Sequence, residues 1–176
     1  MSGHDTHDGT VNPRAANRVS FISRHVHLTI IIRRVDRDMA VFTKTLTFDS
    51  HGHGDMLDIT TIVQEVVSSG SIDEGIVTVF VPGSTASITT IEYEPGLRQD
   101  FPRAMERIAP SGEHYDHDAR WGDGNGMSHV RASTIGPGIV VPFKDKMMLL
   151  GTWQQVVLVD FDNRPRKRNV IVQVMG

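Results

Sequence analysis

A chain of 176 residues, 39% hydrophobic and 22% charged, has the size and composition of one globular domain plus a short extension. A net charge of -3 and a pI near 6.3 exclude the broad basic face of a general nucleic-acid binder. Cysteine is absent, which excludes disulfides and thiolate metal sites and leaves His, Asp, Glu and water as the available metal ligands.

Met1 to Asn17 is polar, carries the pairs His4-Asp5 and His7-Asp8, and reads as a mobile tail. No charged-then-apolar leader pattern is present, and a cytoplasmic protein is expected. The longest apolar run, Leu28 to Ile32, is interrupted by Thr29 and followed by Arg33-Arg34, far too short to span a bilayer. Val19 to Arg34 reads as strand because Val26, Leu28, Ile30 and Ile32 alternate with His25, His27, Thr29 and Ile31. His25 and His27 share one face, as a ligand pair or as exposed edge positions. Ala40 to Phe48 is a second strand, rich in β-branched residues. His51 to Asp55 is a glycine-rich loop.

Thr60 to Ser69 is predicted helical. Ile62, Val63, Val66 and Val67 form an apolar stripe, Thr61 and Gln64 have capping-box spacing, and Gly70 is a stop. Ile76 to Val81 is a continuous apolar run of a buried strand, and Pro82-Gly83 breaks it before a further strand over Ala86 to Tyr93. Leu97 to Ile108 gives a second helix, with Asp100 as its expected N-cap and Pro102 in the first turn. Ser111 to Ser128 reads as a long polar loop, a length that points to function or disorder. Strands follow around Ile139 to Val141, at Met147 to Leu150 after an Asp145-Lys146 turn, at Trp153 to Phe161 and at Asn169 to Met175. A turn at Asp162 to Pro165 joins the last two. Many short strands with two or three helices define an α+β domain, predominantly an antiparallel, jelly-roll-like β-sandwich.

Several linked segments carry a resemblance: Val79-Phe80-Val81-Pro82 with Ser84-Thr85-Ala86, Gly124-Asn125 with Ser128-His129, Gly151-Thr152-Trp153-Gln154, Asp160-Phe161 through Pro165-Arg166, and the closing run Val170 to Gly176. In this order and spacing the chain resembles the YjbQ-like family, uncharacterised protein family 0047, over about residues 38–176. A single YjbQ-like domain over 18–176 follows. The resemblance implies a β-rich sandwich with helices, a homotrimer, and kinship with proteins described as having a weak secondary thiamine-phosphate synthase activity, which joins a thiazole phosphate to a pyrimidine methyl diphosphate and releases diphosphate. One position departs: the family pattern Pro-His-Thr-Thr-Ala reads Pro82-Gly83-Ser84-Thr85-Ala86 here, with glycine in place of histidine.

Reactive groups are densest from Glu113 to Asp118 and at Asp123, Asn125 and His129. The resemblance falls on His117, Asn125 and His129. His117 and His129 are the expected ligands of a divalent metal, and His129 and Asn125 the expected catalytic pair, since imidazole binds first-row metals and titrates near neutrality. Asp116, Asp118 and Asp123 could complete a metal shell or fix a histidine tautomer. A bland alternative stands beside this: such loops favour Asp, Gly and His because they turn easily.

Ser84 and Thr85, with the amides beside Gly83, could bind an anion or simply form a tight turn. Arg131 and Arg98 could add positive charge to the same phosphate. Arg164, Arg166, Lys167 and Arg168 read as a solvated hairpin tip. Trp153 is expected in the core and Gln154 at the cavity. The expected function is a transferase acting on a small phosphorylated molecule, with no organic cofactor, no nucleic acid and no membrane. The alternative is a non-catalytic binder of a metal or phosphate ligand.

Overall fold

The computed structural model describes residues 17–22, 27–32 and 39–176, and the chain forms two units, 1–38 and 39–176. In the first, β1 (Asn17–Ile22) pairs antiparallel with β2 (His27–Ile32), with Val19 opposite Ile30. A hairpin therefore replaces the single strand expected from Val19 to Arg34. Residues 1–16 of the expected tail, with the His4-Asp5 and His7-Asp8 pairs, and His25 lie outside the described residues, as does the side chain of His27, while Asn17 opens β1.

The second unit holds two antiparallel sheets and four helices. Five strands run in the order β3 (Val41–Ser50), β10 (Arg166–Met175), β5 (Glu74–Phe80), β7 (Gly138–Lys144) and β8 (Met147–Met148). Three more run β4 (Asp55–Asp58), β9 (Gln155–Asp160) and β6 (Ala86–Ile91). The fold is α+β with antiparallel sheets as expected, although a five-plus-three arrangement flanked by helices fits the jelly-roll description only loosely.

Strand β9 explains the layering. Val156 and Leu158 face a core shared with the five-stranded sheet, where Val77, Val79, Val170, Val172 and Val174 are fully buried. Helix α1 (Thr60–Ser69) adds Val63, Val66 and Val67 to that core. On the other face of β9, Val157 and Val159 pack with Phe161, Met105 of α2 (Leu97–Ile108) and Ala132 of α4 (Gly126–Ile135). A strand covered on both faces loses its alternation and reads as a continuous apolar run. Each fully buried Val or Leu here contributes about 1.5–3 kcal/mol relative to exposure.

Helix α1 starts and stops where predicted, but not by the predicted cap. Asp58 Oδ1 accepts from the Thr60 amide at 2.9 Å and its hydroxyl at 2.6 Å, while Gln64 reaches across to the carbonyl of Lys146 and the amide of Met148. Gly70 follows the helix in an extended conformation, at φ -82° and ψ 173°, where a Cβ would run into the Phe42 ring. In α2 the Glu94 carboxylate, not Asp100, accepts from the amides of Gly96 and Leu97. Asp145 and Lys146, at φ 52° and 61°, make the expected tight turn between β7 and β8.

The stretch expected as loop from Ser111 to Ser128 contains α3 (Asp116–Trp121) and the start of α4. Trp153, expected in the core, is 70% exposed. Among the described residues no helix is long and apolar enough to cross a membrane.

Candidate functional site

The turn leaving β9 and the start of β10 supply the charged floor of the site. Asp160 and Asp162 have side chains only 1% exposed, and the Arg168 side chain is 11% exposed. Arg168 clamps Asp160 with two bonds, Nε to Oδ2 at 2.7 Å and Nη2 to Oδ1 at 2.6 Å. The same Nη2 donates to Thr85 Oγ1 at 2.8 Å. Arg166 Nε donates to Asp162 Oδ2 at 2.8 Å, and Thr85 Oγ1 donates to that oxygen at 3.0 Å. Burial pushes the Asp162 carboxyl up. The hydrogen bonds from Arg166 and Thr85, with the charges of Arg166 and Arg168, outweigh it and leave the group below its ordinary value.

The loop between β5 and β6 forms one wall. Gly83 adopts φ +143°, and a Cβ there would stand 3.5 Å from Arg168 Nη1. The opposite wall is the first turn of α4. Ser87 Oγ donates to the Ala132 carbonyl at 3.0 Å, and Ser128 Oγ donates to the Phe161 carbonyl, so two buried hydroxyls hold this helix against β6 and the end of β9. The resulting cavity has a volume of about 290 Å³ and is lined by Gly83, Ser84, Thr85, Asn125, His129, Asp162, Arg166 and Arg168. A neighbouring groove of about 420 Å³ shares Gly83, Ser84 and His129 and continues along Ala86, Val130, Ala132 and Pro137.

His129 and His117 lie with ring centroids 4.2 Å apart, tilted by 43°. His117 Nε2 is 3.6 Å from Asp123 Oδ1. The buried Asn125 amide, with its nitrogen turned toward its acceptors, donates to His117 Nε2 at 3.2 Å and to Asp123 Oδ1 at 3.2 Å. Burial first, and the neighbouring His117 second, hold the His129 pKa below its usual value against the pull of Asp123, Asp162 and Asp118. His129 is therefore neutral at pH 7, with one ring N–H donor and one acceptor.

Of the residues singled out in the sequence, Ser84, Thr85, Asn125 and His129 come together in the cavity. His117 sits behind His129. Among the described residues no three His, Asp or Glu side chains converge on a point that could hold a metal, and the His117 Nε2 lone pair already faces the Asn125 amide. Among the described residues this arrangement does not fit a metal shell.

Arg131 lies outside the cavity. It is 8% exposed, and its guanidinium donates to the Ala109 carbonyl at 2.9 and 2.7 Å and to Glu106, tying the end of α2 to α4. Arg98 stacks over the Tyr93 ring at 4.7 Å. Gln154 bonds Thr90 and the Gly151 amide.

Arg166 and Arg168, expected from the sequence at a solvated hairpin tip, line the cavity instead. The signal lay in the strand period: Arg166 and Arg168 share the face of Val170, Val172 and Val174, which is the buried one.

Fold and site together define an antiparallel α+β protein with an arginine-floored cavity beside a histidine pair. Residues 44–176 match the family described as UPF0047 protein YjbQ-like, and the chain belongs to that family. A UPF0047 protein of Archaeoglobus fulgidus is 35% identical over 130 residues, 74% of this chain and 98% of that protein. One from Methanothermobacter thermautotrophicus is 36% identical over 138 residues, 78% of this chain and 94% of that protein. The crystal structure of a YbjQ-like protein of unknown function from Sulfolobus solfataricus superposes with a TM-score of 0.75 at 28% identity, covering 79% of this chain and 99% of that one.

Proposed function

We propose that the cavity binds the phosphoryl end of a small phosphorylated molecule and that the protein is a transferase acting on it, of the thiamine-phosphate synthase-like type implied by the family resemblance. One observation carries the reading: Arg168 Nη1 and both Nη atoms of Arg166 make no hydrogen bond to a described residue, although both side chains line the cavity. Guanidinium forks match phosphate oxygens in geometry and charge. Ser84 Oγ and the neutral His129 ring supply further donors. A departing diphosphate would gain negative charge, and donors already fixed by Asp160 and Asp162 stabilise it without reorganising.

The test is diphosphate release from a pyrimidine methyl diphosphate in the presence of a thiazole phosphate. Saturable release is expected, falling by about 100-fold or more in His129→Ala. Release that is absent, or unchanged in that variant, ends the transferase reading. The second reading, a binder without turnover, is favoured by Gly83, which leaves the cavity without the histidine of the family pattern. It predicts that the same phosphates raise the melting temperature while no product forms.

A further inference from the structure

The arginine-floored cavity adjoins a space of the opposite character. Gly83, Ser84 and His129 line both the cavity and the groove of about 420 Å³, so the two are contiguous. Beyond that junction the groove is walled by Ala86, Val130, Ala132, Ser133 and Pro137, and among the described residues no Asp, Glu, Lys or Arg side chain lines it. Val130 and Ser133 share one face of α4 with His129. A single exposed valine needs no explanation, but Val130, 40% exposed, borders a cavity that holds charge. The Ser133 hydroxyl donates to the Val130 carbonyl at 2.9 Å, so its proton is used inside the helix. Pro137 has no amide to offer, and its carbonyl accepts from the Val81 amide at 2.8 Å. Gly83 puts no side chain at the junction, where a Cβ would meet only Arg168 Nη1, at 3.5 Å. The groove therefore offers a ligand apolar contact and few polar partners, on walls already held in place.

We propose that the phosphorylated ligand of the cavity carries an uncharged apolar body, which lies in the groove along Val130, Ser133 and Pro137 while the phosphate sits on Arg166 and Arg168. This rests on the phosphoryl-binding reading above and narrows the substrate class to phosphate esters of apolar alcohols. An apolar group gains free energy by displacing water from such walls, whereas a charged or strongly polar body loses its hydration there without partners to replace it. Charge at one end and apolar contact at the other also fix which way round the ligand enters, since ligand sites combine apolar walls with a few placed polar groups.

The test titrates the wild-type protein calorimetrically with methyl, ethyl, propyl and butyl phosphate, with 3-hydroxypropyl phosphate as a polar match in length for butyl, and with inorganic phosphate alongside. A fully buried methylene strengthens binding about fourfold, and one lying in an open groove about twofold, so butyl phosphate is expected to bind about eightfold more tightly than methyl phosphate and more tightly than its hydroxylated match. Equal affinities along the series, or a 3-hydroxypropyl ester as tight as butyl, overturn the inference and leave the phosphoryl reading standing. If neither the esters nor inorganic phosphate bind, the phosphoryl reading falls and the inference with it. In Val130→Asn, checked for folding by circular dichroism, the ratio of butyl to methyl affinity is expected to drop to about twofold or less. A ratio that survives in the folded variant places the chain elsewhere and overturns the inference. So does a wild-type oligomer that Val130→Asn dissociates, because a second copy of the chain then covers the groove. Should the variant not fold, the wild-type series decides alone.

Discussion

His129 and Arg131 stand two residues apart on α4 and do different work. His129 faces the cavity, and burial together with His117 holds its pKa below 6.5. The folded protein therefore binds this proton less readily than the unfolded chain, so the group makes stability rise with pH from its folded pKa up to about 6.5. Nuclear magnetic resonance titration of the ring is expected to give a midpoint below 6.5 that moves upward in His117→Ala, because a like charge and part of the burial are both removed. A midpoint at or above 6.5 in the wild type, or a downward move in the variant, contradicts the described environment.

Arg131 turns inward to the Ala109 carbonyl and Glu106. Arg131→Met leaves that carbonyl without its donor and is expected to lower the unfolding free energy by about 1–3 kcal/mol, measured in urea, while phosphate affinity changes less than twofold. A large loss of phosphate affinity with unchanged stability would reinstate Arg131 as a ligand residue. Sequence alone could not separate the two arginine roles, because a charged side chain in a polar stretch looks the same whether it meets a carbonyl or solvent. For Arg166 and Arg168 the information was present, in their register with Val170, Val172 and Val174.

At the scale of elements, the site depends on the chain reversal between β3 and β4. There the amide of His53 donates to the Asp162 carbonyl at 2.6 Å, and that of Gly54 donates to the Asp160 carbonyl at 2.7 Å. Gly52 sits at φ +72°, and a Cβ on it would overlap the Arg164 carbonyl and stand 2.7 Å from the Asp162 oxygen. Gly54 has a similar φ of +84°, with nothing near a Cβ. Both alanine substitutions incur left-handed strain of about 1 kcal/mol. Only Gly52→Ala adds a backbone clash against the segment that carries the carboxylates. Gly52→Ala should therefore be the more destabilising in thermal unfolding and should weaken phosphate binding, which Gly54→Ala leaves intact. Equal effects would show that this contact does not position the site.

The elements whose residues decide locally were legible: α1 and α2 have the predicted limits, and β3, β5, β9 and β10 differ by a few residues at their ends. Helix α4 was not. Its sequence, Gly126 to Ile135, has glycine first, β-branched residues within and little apolar periodicity. What stabilises it is tertiary: Ser87 and Ser128 bonds, Ala132 in the second core, and Asp118 accepting from the Gly126 amide at 2.7 Å. Tertiary context overrode propensity where the site is built.

For the whole molecule, the three-stranded sheet is buried on both faces, between the five-stranded sheet on one side and α2 and α4 on the other. This layering places the charged turn after β9 beside the α4 N-terminus and the β5–β6 loop, and the cavity is where the three meet. Val170, Val172 and Val174 are fully buried on an interior strand of the larger sheet, between β3 and β5, and the strand that holds them begins with Arg166 and Arg168. The core and the site thus share a strand, which anchors the guanidinium positions to the buried sheet.

The most direct measurement is a residue-resolved amide chemical-shift map during titration with diphosphate. Saturable changes are expected at Gly83 to Thr85, Asn125, His129 and Arg166 to Arg168, lost in Arg166→Gln. Shifts that are absent, that fail to saturate, or that centre on residues away from this cavity would contradict the phosphoryl-binding reading.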